Sequence, residues 1–147
     1  NNELKARMEA LGRQDGMEIA LVCVDNNTDE IIYCGAKRNL YVVKNNMLIE
    51  YTANKKAICG DVNYNTQYEQ HIIKKEEGLK LYMTTDGFVD QFGGENGKKY
   101  STKRFKETLT SLRSTFNSHG IELHNTISMW KGELEQVDDI LVLGINI

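Results

Sequence analysis

The sequence lacks several features that define whole classes of protein. It contains no proline, where average usage of about 5% would give roughly seven, and so it has no proline-rich linker. No apolar run approaches the ~18 residues that a membrane span needs. The first residues contain neither the hydrophobic region nor the cleavage site of a signal peptide. We therefore expect no membrane contact by this segment.

An excess of charge of one sign is also missing. The 18 basic and 21 acidic residues give a net charge of -3, and they form no basic patch that could neutralise a phosphate backbone. We therefore expect no nucleic-acid partner. With 40% hydrophobic and 27% charged residues, the composition is that of a soluble globular protein rather than a disordered one.

Cysteine is too scarce for a disulfide framework or a zinc cluster. The three cysteines, Cys23, Cys34 and Cys59, are odd in number and include no C-x-x-C pair. This spacing favours reduced, partly buried thiols in a cytosolic setting. We therefore predict a cytoplasmic location.

The 147 residues fit one compact domain, since domains most often hold about 100 to 150 residues. We predict that residues 1–147 are one partial domain. The chain begins without an initiator methionine and inside a helix-like segment, which suggests a piece of a longer protein. A larger sensor tethered to a membrane, with this segment in the cytoplasm, is one such parent.

Periodicity predicts one helix followed by a run of strands. Leu4, Met8 and Leu11 form the apolar stripe of a first helix. The apolar or alternating runs that follow are Ile19 to Val24, Ile31 to Cys34, Leu40 to Val43, Met47 to Tyr51, Tyr68 to Ile73 and Leu79 to Thr84. Short connections rich in Asn, Asp and Gly predict that the first four strands form an antiparallel meander.

The second half of the chain predicts two helices and a last strand. The polar stretch from Gly93 to Thr102 reads as a mobile loop in which Ser101 or Thr102 caps a helix. The two helical stripes are Phe105, Leu109, Leu112 and Phe116, then Leu123, Ile127, Trp130 and Leu134, with Gly120 between the helices. The unbroken apolar run Ile140 to Leu143 suits a strand covered on both faces. This order predicts an α+β fold of largely antiparallel sheet with packed helices.

Two acidic pairs stand next to apolar strands. Asp86-Gly87 follows the run that ends at Thr84, and Asp138-Asp139 precedes the last strand. Asp-Gly between apolar runs is also a strong hairpin-turn signal, and adjacent acids at a strand start are often solvated loop residues. Both of these simpler readings stay open for either pair taken alone.

Taken together, the two pairs suggest a metal site. Carboxylates at one end of neighbouring strands are the oxygen ligands that Mg²⁺ and Mn²⁺ require. Two such ions can orient and deprotonate a water for in-line attack on a phosphate. A third, bridging carboxylate is normally needed, and the spacing does not reveal one.

The segments "LYMTTDGFVDQFGG" and "WKGELEQVDDILVLGI" resemble the C-terminal half of PPM (type 2C-like) metal-dependent serine/threonine phosphatases, within the bacterial SpoIIE-type branch. The resemblance covers nearly the whole chain. It implies an antiparallel β-sandwich flanked by helices, with the N-terminal part of the fold missing. It also implies a Mn²⁺ or Mg²⁺ two-metal site in the complete domain, and hydrolysis of phosphoserine or phosphothreonine on a partner protein by a metal-activated water.

Carried over by position, the resemblance implies that Asp86 and Asp138 are metal ligands and that Gly87 permits close backbone approach. Asp139 belongs to the same predicted metal site, where it would support the ligands as their neighbour, and a direct ligand role for it stays open. The phosphoprotein substrate would often be a regulator of the anti-anti-sigma kind. The substrate-binding residues stay unassigned.

The sequence also departs from the family pattern. The family's bridging aspartate, in a Gly-Asp motif on an N-terminal strand, is absent. Asp61 looks superficially similar but reads as a loop residue, while Lys37 and Leu141 replace a histidine and a threonine that are common in the family. A non-catalytic interaction or regulatory module on the same scaffold is therefore the alternative function. If strands that complete the sandwich are missing, exposed sheet edges predict a homodimer.

Overall fold

A computed structural model describes residues 16–59 and 67–147 of the chain. The predicted first helix and Asp61 therefore lie outside the described residues. The described residues form the strands β1 (Ile19–Asp25), β2 (Glu30–Ala36), β3 (Leu40–Lys44), β4 (Met47–Tyr51), β5 (Gln70–Lys74), β6 (Lys80–Thr84), β7 (Phe92–Gly93), β8 (Lys98–Lys99) and β9 (Val142–Asn146). Their helices are α1 (Asp86–Asp90), α2 (Thr102–Ser111) and α3 (His119–Lys131), with a 3-10 turn at Phe116–Ser118. None of these helices is long and apolar enough to cross a membrane.

The chain divides into two compact units. The first contains the described residues up to Leu40 and those of Glu50–Glu76, and the second contains Tyr41–Ile49 and Glu77–Ile147. The prediction that residues 1–147 form one partial domain stays a prediction.

A three-stranded antiparallel sheet, in the order β1-β2-β5, forms the first unit. Alternation along β2 places Ile31 and Tyr33 on a fully buried face. Inside that face the Tyr33 hydroxyl donates to the Arg38 carbonyl over 2.6 Å, and its ring stacks on His71 with centroids 5.7 Å apart. The buried tyrosine therefore has its polar atom satisfied, as burial requires.

The second unit is built around a four-stranded sheet, in the order β4-β3-β6-β9. The predicted helical stripes supply half of its core, which consists of Tyr41, Val43, Tyr82, Phe88, Tyr100, Phe105, Leu109, Leu112, Leu123 and Ile127. Ser101 caps α2 by accepting from the Arg104 amide over 3.4 Å. The α+β prediction, with antiparallel sheets and packed helices, is confirmed.

Three local predictions were wrong. The first four strands are two hairpins in different sheets rather than one meander, because the chain turns after β2 at Lys37, whose φ of 59° is left-handed. Gly120 lies inside the first turn of α3 rather than between helices. The stretch from Gly93 to Thr102, expected to be a mobile loop, contains the β7-β8 hairpin and the start of α2.

The last strand also differs from its prediction. β9 lies at the edge of its sheet, with β6 as its one neighbour among the described residues. Leu141 and Leu143 are 63% and 50% exposed. The predicted cover on both faces therefore fails at these two residues, because an unbroken apolar run does not tell whether another element packs on each face of the strand.

A buried polar pair joins β6 to the start of α3. The Tyr82 hydroxyl lies 2.7 Å from His119 Nδ1, and His119 Nε2 lies 3.1 Å from the Ser114 carbonyl. A carbonyl can only accept, so Nε2 bears the proton and Nδ1 accepts from Tyr82. Burial, with a smaller contribution from the charge of Glu122, raises the pKa of Tyr82 to about 12.

We predict that Tyr82→Phe lowers the free energy of unfolding by about 1–3 kcal/mol, because His119 Nδ1 would then be buried without its donor. The raised pKa of Tyr82 also makes the free energy of unfolding depend on pH. The folded state holds the Tyr82 proton more tightly than the unfolded state, whose pKa is about 10. Stability is therefore full below about pH 10 and falls as the pH rises through about 12. Urea unfolding across this pH range should show that the free energy of unfolding declines less steeply with pH in the variant than in the unsubstituted protein.

Tyr51→Phe is the matched control, since Tyr51 is half-buried and meets His71 edge-on. The Tyr82 assignment would be contradicted if both variants lost the same stability and the same pH dependence.

Candidate functional site

Asp86 is the first residue of α1 and follows the end of β6 after one residue, Thr85. The hairpin-turn reading of Asp86-Gly87 was therefore wrong, since the chain enters a short helix. Phe88, 1% exposed, anchors this helix in the core, where its ring centroid lies 5.2 Å from Tyr100 and 5.0 Å from Phe105. Asp86 is half-buried at the sheet edge, held by a helix that this aromatic cluster fixes.

The second acidic pair reaches the same edge because β6 and β9 are antiparallel neighbours. Thr84, the last residue of β6, pairs with Val142, the first of β9. The residues that follow β6 and those that precede β9 must therefore meet. The structure brings the Asp86-Gly87 segment and the Asp138-Asp139 segment together, and their role as metal ligands stays a prediction.

Two threonines join the segments by hydrogen bonds. Thr84 Oγ1 donates to the Leu141 carbonyl over 3.0 Å. Thr85 Oγ1 donates to the Asp139 carbonyl over 2.8 Å and accepts from the Leu141 amide over 3.0 Å. Sequence reasoning missed both side chains, although two hydroxyl residues between an apolar strand and the acid were visible in the "TTDG" stretch.

Gly87 permits the closest contact between the segments. A Cβ at this position would overlap the Asp139 carbonyl oxygen and would lie 2.8 Å from its carbon and 3.2 Å from the Asp138 carbonyl oxygen. The predicted close backbone approach at Gly87 is present, and its partner is the main chain of the second acidic pair. Only glycine fits there without displacing backbone.

Gln91 holds the loop that leads to the acids. Its side chain is fully buried, and Nε2 donates to the Glu135 carbonyl over 2.9 Å and to the Phe92 carbonyl over 3.0 Å. Its Oε1 accepts from the Val137 amide over 3.4 Å. A buried amide is tolerated because these bonds replace its hydration. Sequence reasoning missed Gln91, since nothing local distinguishes a buried glutamine from a surface one.

The second pair itself faces solvent. Asp138 and Asp139 are exposed. Asp138 Oδ1 accepts from the Asp139 amide over 2.7 Å, and the Asp138 carbonyl accepts from Gln136 Nε2 over 2.8 Å. Asp90, one turn after Asp86, pairs with Lys99 over 3.0 Å at the surface.

The donor set at this edge fits a hard divalent cation in kind. Carboxylates of Asp86, Asp138 and Asp139, with main-chain carbonyls beside them, are the ligands that Mg²⁺ and Mn²⁺ prefer. These three carboxylates do not make a complete site, since the described residues contain no group of three or more His, Cys, Asp or Glu side chains placed so that they could hold a metal. The described residues thus supply oxygen ligands of a suitable kind but no complete metal site.

Known structures share this architecture. No protein-family model and no curated protein matches the sequence. The SiaA-PP2C domain of Pseudomonas aeruginosa is similar with a TM-score of 0.86 and 27% identity, covering 99% of this chain and 58% of that chain. The RsbU and RsbW domains of Rv1364c from Mycobacterium tuberculosis give a TM-score of 0.73 at 14% identity, covering 99% and 40%. The phosphatase domain of SpoIIE from Bacillus subtilis gives 0.66 at 13%, covering 99% and 72%.

The fold is therefore that of the PP2C (PPM) phosphatase domains. Within that class, the predicted resemblance to a SpoIIE-type domain is confirmed. The chain spans 58% of the length of the SiaA domain, as a partial domain would.

We predict that Gly87→Ala disrupts this edge. The added Cβ must displace the Asp139 main chain, which should lower the free energy of unfolding by about 1–3 kcal/mol. Chemical denaturation measures the loss.

Gly120→Ala is the matched control. Gly120 lies in α3 and an added Cβ would meet nothing within 4 Å, so alanine there should stabilise by up to about 1 kcal/mol. Equal effects of the two substitutions would contradict the close approach at Gly87.

Proposed function

We propose that the complete domain to which this chain contributes is a metal-dependent protein serine/threonine phosphatase. The observation that carries the proposal is the junction of the Asp86-Gly87 and Asp138-Asp139 segments at one sheet edge of a PPM fold. Hydrolysis of a phosphate ester needs clustered carboxylates held on rigid elements, and this edge supplies two segments that carry them.

Each residue has a defined part in the proposed mechanism. Asp86 and Asp138 would hold Mn²⁺ or Mg²⁺, and Asp139 would support them. When bound, such ions lower the pKa of a water so that it can attack the phosphorus in line. Thr85 fixes the distance between the two segments by bonding to the second one at two points. Gln91 keeps the loop before Asp138 in place.

We propose a phosphoserine- or phosphothreonine-bearing protein as the substrate, of the anti-anti-sigma kind. The resemblance to the SpoIIE-type branch supports this class. The homodimer expected from exposed sheet edges stays a prediction.

We predict that Asp86→Asn in the full-length protein abolishes Mn²⁺-dependent hydrolysis of a phosphoserine peptide. Asparagine keeps the shape of the side chain and removes the charge that a divalent cation requires. The loss should exceed the ~10–100-fold effect of removing an outer hydrogen-bond partner of a metal ligand. Phosphate release and calorimetric Mn²⁺ binding are the two measurements.

Asp90→Asn is the control, because it makes the same change one helical turn later at a residue paired with Lys99. Turnover by this variant should stay near the unsubstituted level. Unchanged turnover in Asp86→Asn would overturn the assignment.

The incomplete ligand set favours a second candidate function. Since the described residues hold no three-residue metal-binding group, the chain could act as a non-catalytic interaction or regulatory module on the same scaffold. The two functions differ in their response to metal.

Calorimetry of the 147-residue chain and of the full-length protein with Mn²⁺, run beside a generic phosphatase assay, separates these functions. The module predicts no tight two-site binding and no turnover in either the chain or the full-length protein. Tight two-site binding with turnover by the full-length protein would exclude it.

A further inference from the structure

Two cysteines face each other diagonally across the β1-β2 hairpin. The antiparallel register sets Cys23 opposite Ile32. It sets Leu21 opposite Cys34. Because side chains alternate between the faces of a sheet, Leu21 and Cys23 share one face, and Cys34 shares it with them. The two thiols are therefore diagonal neighbours on the same side of the sheet.

This side, which we term the cysteine face, is the more exposed side of the three-stranded sheet; it comprises Leu21, Cys23, Ile32, Cys34 and Ile72. Leu21 and Ile72 are 61% and 60% exposed. Cys23 is exposed and Cys34 is half-buried, and both are free thiols. A reagent in solution therefore reaches Cys23 more easily than Cys34.

The register puts the two residues at a separation that, by the general geometry of antiparallel strands, is close to that of a disulfide. Diagonal neighbours in an antiparallel pair have Cα atoms about 7–8 Å apart, with the Cβ atoms nearer. Disulfides span Cα distances up to about 6.8 Å, so closure needs an inward shift of roughly 1 Å. β1 can supply the shift because it is an edge strand, paired only with β2 among the strands that the structure describes. A bond closed under strain is readily reduced again.

We propose that Cys23 and Cys34 form a reversible oxidation site that reacts with low-molecular-weight disulfides. The Cys23 thiolate attacks one sulfur of the small disulfide, which yields a mixed disulfide on Cys23 and one small thiolate. The Cys34 thiolate then attacks the Cys23 sulfur and releases the second small thiolate. Both cysteines are oxidised, the small disulfide is reduced to two thiols, and the two protons lost by the cysteines pass to the departing thiolates.

The experiment treats the reduced protein with oxidised glutathione, blocks remaining thiols with iodoacetamide and measures the intact mass. We expect the pair Cys23 and Cys34 to lose two hydrogens and to keep neither glutathione nor the iodoacetamide label, so that Cys59 is the one cysteine of this sequence left to the blocking reagent. Digestion with a protease that cleaves before aspartate cuts at Asp25 and Asp29, between the cysteines. The fragments that contain Cys23 and Cys34 should then stay linked until a mild thiol reductant separates them.

Serine variants test the order of the two steps. Cys34→Ser should retain a glutathione adduct on Cys23, and Cys23→Ser should form no internal disulfide. Cys59→Ser is the matched control, because Cys59 lies outside the hairpin, and it should close like the unsubstituted protein. A stable glutathione adduct on Cys23 in the unsubstituted protein, or a linkage that includes Cys59, would overturn the proposal.

Discussion

The contact on which this molecule's candidate site depends is the approach of the Gly87 main chain to the Asp138-Asp139 main chain. No side chain separates the two segments, so their spacing is set by backbone rather than by flexible packing. The threonine bonds across the same gap, with lengths of 2.8–3.0 Å for Thr85, act at the same place. Each such bond contributes only about 0.5–1.5 kcal/mol. Together with the close backbone contact, they hold the two segments in one relative position.

A second layer of contacts lies behind this edge and ends at α3. The Gln91 side chain holds the loop before Asp138, while the main-chain carbonyl of Gln91 accepts from Trp130 Nε1 over 3.0 Å. Trp130 in turn requires glycine beside it, because a Cβ at Gly93 would overlap its carbonyl and one at Gly94 would lie 2.7 Å from its ring. The "DQFGG" stretch thus connects the acid-bearing loop to the helical core through one buried amide and two glycines.

Sequence reasoning found the elements whose signals are local. Apolar or alternating runs predicted β1 to β6, and apolar spacing predicted α2 and α3. These signals are local because the burial of one face sets the pattern of apolar and polar residues within the element itself. It failed where the outcome depends on distant partners. Asp-Gly signals a turn locally, yet Phe88 binds the aromatic core and draws the segment into a helix. The apolar strands next to each acidic pair were enough to predict that the acids meet at one edge of the sheet. The roles of Thr85 and Gln91 depend on contacts with distant residues, which spacing along the sequence does not show.

The threonine and glutamine hydrogen bonds that hold this edge together do not use the carboxylates that the proposed chemistry needs. The links described here between the two segments come from Thr84, Thr85 and main-chain groups, and Gln91 secures the adjoining loop. Exchange of a carboxylate for an amide of the same shape leaves these links in place. An edge held in this way keeps its shape whether or not a cation is bound, and preorganised ligand geometry requires such a fixed shape. In the proposed metal site, further ligands would therefore meet an edge whose shape is already fixed.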